Sequence, residues 1–157
     1  MIIFLDFDGV LHPFFPRKDL PAEENQLFSY LPRLEGVLRD FPALKIVIAS
    51  SWRINRPWEN VINAFSLDIT ARIIGTTPVL IQKEPPYRRH LRYEEILNFL
   101  NNNNLSAAQW IALDDDPELY PANCQYLILC ADGFHDAEEK SLREVLSMRM
   151  QSIGGSL

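Results

Sequence analysis

Five short apolar runs along the chain are separated by stretches in which apolar residues recur every three or four positions. Ile2-Ile3-Phe4-Leu5 runs into Asp6, so residues 2–6 read as a strand buried on both faces. His12-Pro13-Phe14-Phe15-Pro16 is a proline-broken loop, and residues 17–27 are polar and irregular. Leu31, Leu34, Val37, Leu38 and Phe41 predict a helix over 29–41 that Pro42 stops. Lys45-Ile46-Val47-Ile48-Ala49-Ser50 is a second strand. Pro57 opens a helix that carries Val61, Ile62 and Phe65 inward. A short strand at Ile73-Ile74 leads into a loop from Gly75 to Pro86. Tyr93, Ile96, Leu97 and Leu100 mark a helix over 90–101, ended by the run Asn101 to Asn104. Residues 110–113 and 126–129 are the fourth and fifth strands. Asp136 caps a last helix, with Glu139 as its reciprocal partner, and Leu142, Val145, Leu146 and Arg149 carry it onward.

Nearly all-apolar strands separated by helices predict a parallel sheet covered on both faces. Right-handed crossovers bring the carboxyl ends of the strands to one edge. Asp6 and Asp8, Ser50 and Ser51, and Asp114 and Asp115 are delivered there. The period of a strand points Asp6 and Asp8 the same way, and Gly9 lets the backbone turn sharply after them. Carboxylates held that close need a shared proton, a basic partner or a cation.

At 157 residues the chain is one domain, expected over 1–151 with a flexible tail at 152–157. No apolar run is long enough to span a bilayer. The acidic pair comes too early for a signal peptide, so a cytoplasmic protein is expected. Cys124 and Cys130 lack metal-ligand spacing and read as buried thiols. A net charge of −6 argues against non-specific coating of nucleic acid. Arg53, Arg56, Lys83, Arg88, Arg89 and Arg92 nevertheless concentrate positive charge between positions 53 and 92, where a phosphate or only solvent could meet it. Trp52 and Trp110 read as packing residues. His12 and His90 read as loop residues with no catalytic partner.

An acidic pair, a hydroxyl, a basic side chain and a second acidic pair, each following an apolar strand or opening a helix, resemble the haloacid dehalogenase (HAD) superfamily of phosphohydrolases. Asp6-Phe7-Asp8 matches the first motif, Ser50 or Ser51 the second, Arg92 or Lys83 the third, and Asp114-Asp115 the fourth. Ser50-Ser51-Trp52-Arg53, Arg92-x-x-Glu95-Ile96 and Trp110-Ile111-Ala112-Leu113-Asp114-Asp115-Asp116 resemble the small HAD domain of Swiss Army Knife RNA repair proteins. Ser51-x-Arg53 also resembles the Ser-x-Arg of polynucleotide 3′-phosphatase domains.

The resemblance implies a Rossmann-like α/β/α sandwich around a parallel sheet of about five strands, capless or with a minimal cap. It implies a phosphatase in which Asp6 attacks phosphorus and Asp8 acts as general acid and base. Mg²⁺ would be held by Asp6, the Asp8 backbone carbonyl, Asp114 and Asp115. The transferring group would meet Ser50 or Ser51 and Arg92, the preferred basic residue, with Lys83 the alternative. Gly9, Ser51, Arg53 and Lys83 are candidate substrate contacts. Residues 12–44 and 54–91 leave no room for a full cap, and an open site suits a phosphate on a large carrier such as a nucleic-acid end. Nothing marks an obligate protein partner. A phosphatase of small metabolites and a catalytically idle binding module are the alternatives. A phospho-acceptor receiver domain fits poorly, because strand three ends in Gly75-Thr76-Thr77 without an aspartate.

Overall fold

A computed structural model of the chain describes residues 1–81 and 90–154. The five strands are β1 (Ile2–Leu5), β2 (Lys45–Ile48), β3 (Ile73–Thr76), β4 (Trp110–Asp114) and β5 (Leu127–Leu129). They form one sheet in the order β3-β2-β1-β4-β5, with every neighbouring pair parallel. The chain moves outward from β1 in one direction to β2 and β3, then returns to the other side for β4 and β5. Strand order therefore reverses at β1 and β4, the place where an open α/β sheet leaves a crevice at its carboxyl edge.

Alternation along the strands builds two cores. Ile3, Leu5, Ile46, Ile48, Ile111 and Leu113 face one side, where Leu34, Val37 and Leu38 of α1 (Leu31–Asp40) and Leu142 and Leu146 of the last helix cover them. Ile2, Phe4, Val47, Ala49, Trp110 and Ala112 face the other, under Ile96, Phe99 and Leu100 of α5 (Leu91–Asn102). Both faces of β1 are buried. A one-residue slip in its register would exchange the two cores and move Asp6 off the crevice.

The crossover between β2 and β3 is not the single helix that Val61, Ile62 and Phe65 imply. It consists of α2 (Trp52–Asn55), α3 (Trp58–Ile62) and α4 (Leu67–Thr70). The break comes from a tertiary contact. Buried Glu35 of α1 accepts hydrogen bonds from the Ser66 backbone N–H at 2.8 Å and the Ser66 hydroxyl at 2.6 Å. That carboxylate restarts the helix at Leu67. Val61 and Phe65 are still buried, as their spacing requires.

α5 spans Leu91–Asn102, close to the expected bounds. The last helix, α6, spans Asp136–Gly154 and so continues into the segment expected to fray. Its cap also differs from expectation. His135 is the capping position, and Glu138 reaches back to accept the His135 N–H at 3.0 Å. Asp136 is already inside the helix, where it pairs with Arg33, and Glu139 pairs with Arg33 and Arg143. The helix starts one residue earlier than a polar-residue rule suggests because Phe134 is fully buried and anchors the turn before it. Both cysteines are free, Cys130 fully buried and Cys124 partly so.

Candidate active site

The ladder carries Asp6 into the crevice. The Asp6 N–H donates to the Leu113 carbonyl at 3.0 Å, which sets Asp6 beside Asp114 across the β1–β4 pair. The chain then turns. The N–H groups of Val10 and Leu11 both donate to the Phe7 carbonyl, and Gly9 adopts a φ of +76°. A side chain on Gly9 would be strained in that conformation and would overlap the Asp115 carboxylate. Glycine is therefore needed twice, for the turn and for the close passage of Asp115.

Asp6, Asp114 and Asp115 each bring one carboxylate oxygen to within 4.8 Å of the others. Asp114 is almost completely buried, and burial together with the charge of Asp6 pushes its pKa up to about 7. Burial and Asp6 likewise push Asp115 up to about 6. Arg92, at the start of α5, is the nearby cation. Its Nη1 lies 3.4 Å from Asp6 Oδ1 and 3.4 Å from Asp114 Oδ2. Burial opposes the Arg92 charge, but Asp6 and Asp114 outweigh it and hold its pKa above the usual value. At those distances Nη1 gains attraction without a hydrogen bond, and it is buried with none. Among the described residues, one guanidinium among three carboxylates leaves negative charge unbalanced. An all-oxygen donor set of this kind suits a hard cation such as Mg²⁺.

Two neighbours hold Asp114 that its sequence context does not reveal. The Asp116 N–H donates to Oδ1 at 3.1 Å, and the buried Tyr120 hydroxyl donates to Oδ2 at 2.9 Å. Asp116 itself caps the short 3₁₀ turn Pro117–Leu119 by accepting the Glu118 N–H. The triple-aspartate run thus divides into two site carboxylates and one cap.

Asp8 is held separately. His12 Nε2 lies 3.0 Å from Asp8 Oδ1, and the Trp52 indole N–H donates to Asp8 Oδ2 at 2.9 Å. His12 is 2% exposed and is no free loop residue. Its Nδ1 accepts the Phe28 N–H at 3.3 Å, which assigns the ring proton to Nε2 and makes His12 the donor to Asp8. Trp52 does pack, as expected, but it also holds a site carboxylate. The only sequence signal for the His12 contact is its spacing of four from Asp8 across the glycine turn.

The two serines part company. Ser50 is fully enclosed, and its Oγ accepts the Trp52 backbone N–H at 3.3 Å. Ser51 is exposed and lines a cleft of about 300 Å³ together with Asp8, His12, Phe14, Trp52 and Arg56. A second cleft of about 240 Å³ opens on the other side of the loop, where Gly9 and Asp115 meet Phe14, Phe15 and Arg17. Phe14 and Phe15, 59% and 72% exposed, form an aromatic ridge between the two.

Arg53, expected to contact substrate, faces inward. Its Nε–H donates to the Thr77 carbonyl, Nη1 to the carbonyls of Ala49 and Ser50, and Nη2 to the Pro78 carbonyl and Glu95. All its donors are engaged and its side chain is 4% exposed. It braces the end of β2 against the loop after β3. The alternative basic residue, Lys83, lies outside the described residues.

The family description "HAD domain in Swiss Army Knife RNA repair proteins" matches residues 2–138. That span takes in both acidic pairs, both serines and Arg92. No curated protein and no solved structure registers as a match.

Proposed function

Since the chain belongs to the family of HAD domains found in Swiss Army Knife RNA repair proteins, we propose that it is a Mg²⁺-dependent phosphoric monoester hydrolase. The observation that carries this reading is the gathering of Asp6, Asp114, Asp115 and Arg92 in the crevice at the β1–β4 switch, with Asp8 two residues along the chain from Asp6.

In the first half-reaction the Asp6 carboxylate attacks phosphorus and the bond to the leaving oxygen breaks. That oxygen takes its proton from Asp8. In the second, water attacks the aspartyl-phosphate and gives a proton to Asp8. The bond between phosphorus and Asp6 breaks, releasing inorganic phosphate. Arg92 meets charge developing on the phosphoryl oxygens, and the Ser51 hydroxyl, which opens on the cleft, donates to them. Asp6, Asp114, Asp115 and the Asp8 backbone carbonyl would hold Mg²⁺, which supplies charge neutralisation among carboxylates and phosphate when bound.

The leaving group belongs in the cleft that contains Asp8, since that residue must reach the leaving oxygen. Exposed Phe14 offers a stacking surface, and Asn55 and Arg56 offer polar contacts. Among the described residues no folded unit closes over this edge. Those features favour a phosphate on a nucleic-acid end over one on a small metabolite.

The test is hydrolysis of p-nitrophenyl phosphate with and without Mg²⁺, comparing wild type with Asp6→Asn. Mg²⁺-dependent turnover that falls at least about a thousandfold in the variant is expected. Equal turnover in both proteins would overturn the assignment. Faster release of phosphate from 3′- or 5′-phosphorylated oligonucleotides than from glycerol phosphate is expected from the cleft, and the reverse preference would favour a metabolite phosphatase.

A further inference from the structure

We propose that His12 and Trp52 are positioning residues that fix the Asp8 carboxylate from both sides and thereby set the transfer of its proton to the leaving group. This rests on the phosphatase reading above, in which Asp8 is the general acid.

The geometry is a clamp with one donor per oxygen. His12 Nε2 takes Oδ1 and the Trp52 indole N–H takes Oδ2, at 3.0 and 2.9 Å. A carboxylate held by one donor can still rotate about its last torsion. Held by two donors from different elements, it has one orientation. Each oxygen keeps a second lone pair, so the clamp leaves Asp8 able to carry and transfer a proton.

The donors are themselves fixed. The Phe28 N–H occupies His12 Nδ1, which keeps the Nε2 proton pointed at Asp8. Phe28 adopts a φ of +61°, a backbone conformation that a bulky residue rarely takes. It is kept there by edge contacts with Phe7, His12 and Trp52, whose ring centroids lie 5.2 to 5.4 Å away. Phe7 also meets Trp52 at 5.7 Å. The residue between the two aspartates is thus the floor of the clamp. Phe7 is fully buried where β1 has ended and the chain turns.

His12 is further tied to the turn, since its carbonyl accepts the Gly9 N–H at 2.9 Å. Backbone, ring and carboxylate form one closed loop from Asp8 to His12. A buried histidine that served packing alone would need no contact with a carboxylate in the leaving-group cleft.

Leaving-group chemistry tests the role. A p-nitrophenolate leaves without being protonated, whereas an alkoxide needs the proton. kcat/KM covers only the steps through phosphoryl transfer to Asp6, so the two substrates separate acid positioning from general damage. For His12→Leu and for Trp52→Phe, kcat/KM on glycerol phosphate should fall about ten- to a hundredfold. On p-nitrophenyl phosphate, whose leaving group enters the same cleft but needs no proton, the loss should be about tenfold smaller. His12→Gln, whose amide can donate to Oδ1, should recover part of the alkyl activity. Trp52→Phe keeps a ring in the core and answers the question even where His12→Leu does not fold. Parallel losses on both substrates, or a change confined to KM, would overturn the clamp and leave the phosphatase reading intact. A wild-type protein with no Mg²⁺-dependent turnover of either substrate would overturn that reading as well.

Discussion

The same edge of the sheet treats two groups of buried charge in opposite ways. Around Arg53 the donors and acceptors are matched, and Glu95 also lies 3.8 Å from Arg92. Glu95 accepts Arg53 Nη2 at 2.6 Å and the Leu80 N–H at 3.2 Å, and backbone carbonyls take the other guanidinium donors. Around Arg92, three carboxylates crowd a guanidinium whose Nη1 has no hydrogen bond among the described residues. Burial drives the pKa of Arg53 down, while the surplus of carboxylates holds that of Arg92 up. A group with every donor engaged offers nothing to a ligand, so Arg53 is scaffold. A group whose neighbours lack compensation has free energy to gain from an incoming cation and anion, which is the ground for proposing Arg92 as a binding residue.

Breaking the matched group should give the largest loss of stability. Arg53→Met leaves the Glu95 charge without its closest partner and removes the side-chain hydrogen bonds to four carbonyls. The expected cost is about 3–5 kcal/mol, the range for breaking a buried ion pair. For a chain of this size that lowers Tm by roughly 10 °C. An unchanged Tm with a raised KM would make Arg53 a substrate contact after all and erase the contrast with Arg92.

That contrast is the part of the site the sequence hid. Apolar runs and crossover handedness are enough to bring Asp6 and Asp114 to one edge of the sheet, while their adjacency comes from the β1–β4 pairing. The same logic placed Val61 and Phe65 inward while missing that Glu35 breaks their helix into pieces. Ser51-Trp52-Arg53 looked like a phosphate grip because residue type was the only information. Which way Arg53 turns depends on carbonyls at 49, 50, 77 and 78, and no local pattern joins those positions. His12 and Tyr120 were missed for a related reason. Each is an ordinary residue in its own segment and gains a role only when a turn or a 3₁₀ segment brings it to a carboxylate.

The unbalanced group should reveal itself in the dependence of stability on pH. The pKa of Asp114 rises to about 7 and that of Asp115 to about 6 on folding, against ordinary values near 4. Between those limits the folded protein binds more protons than the unfolded chain, so stability falls as pH rises. Below about pH 4 both states are protonated and the penalty is absent. Above about pH 7 it is fully developed, on the order of a few kcal/mol. Thermal melts in EDTA from pH 4.5 to 7.5 should show this decline beyond that of Asp114→Asn. Mg²⁺ favours the ionised carboxylates and should flatten the curve, with its largest stabilisation at the alkaline end. A Mg²⁺ effect that is independent of pH, or that survives Asp114→Asn, would separate metal binding from this cluster.

The smallest expected effect distinguishes the two serines. Both follow β2, and both are one methylene and one hydroxyl, yet only Ser51 opens on the cleft. Removing a hydroxyl that donates to a bound phosphate should cost about tenfold in kcat/KM, and Ser51→Ala should show it without a change in Tm. Ser50→Ala removes the acceptor of the Trp52 N–H, which lies in the backbone leading to the indole that clamps Asp8. Its effect should therefore appear in Tm, and in the ratio of alkyl to aryl phosphate hydrolysis, before it appears in KM. If Ser50→Ala instead produces the larger loss on both substrates at unchanged Tm, the enclosed hydroxyl is the one that meets phosphate. The crevice would then have to open past Ser51 on binding, and the line between scaffold and site would run through residue 51 rather than residue 50.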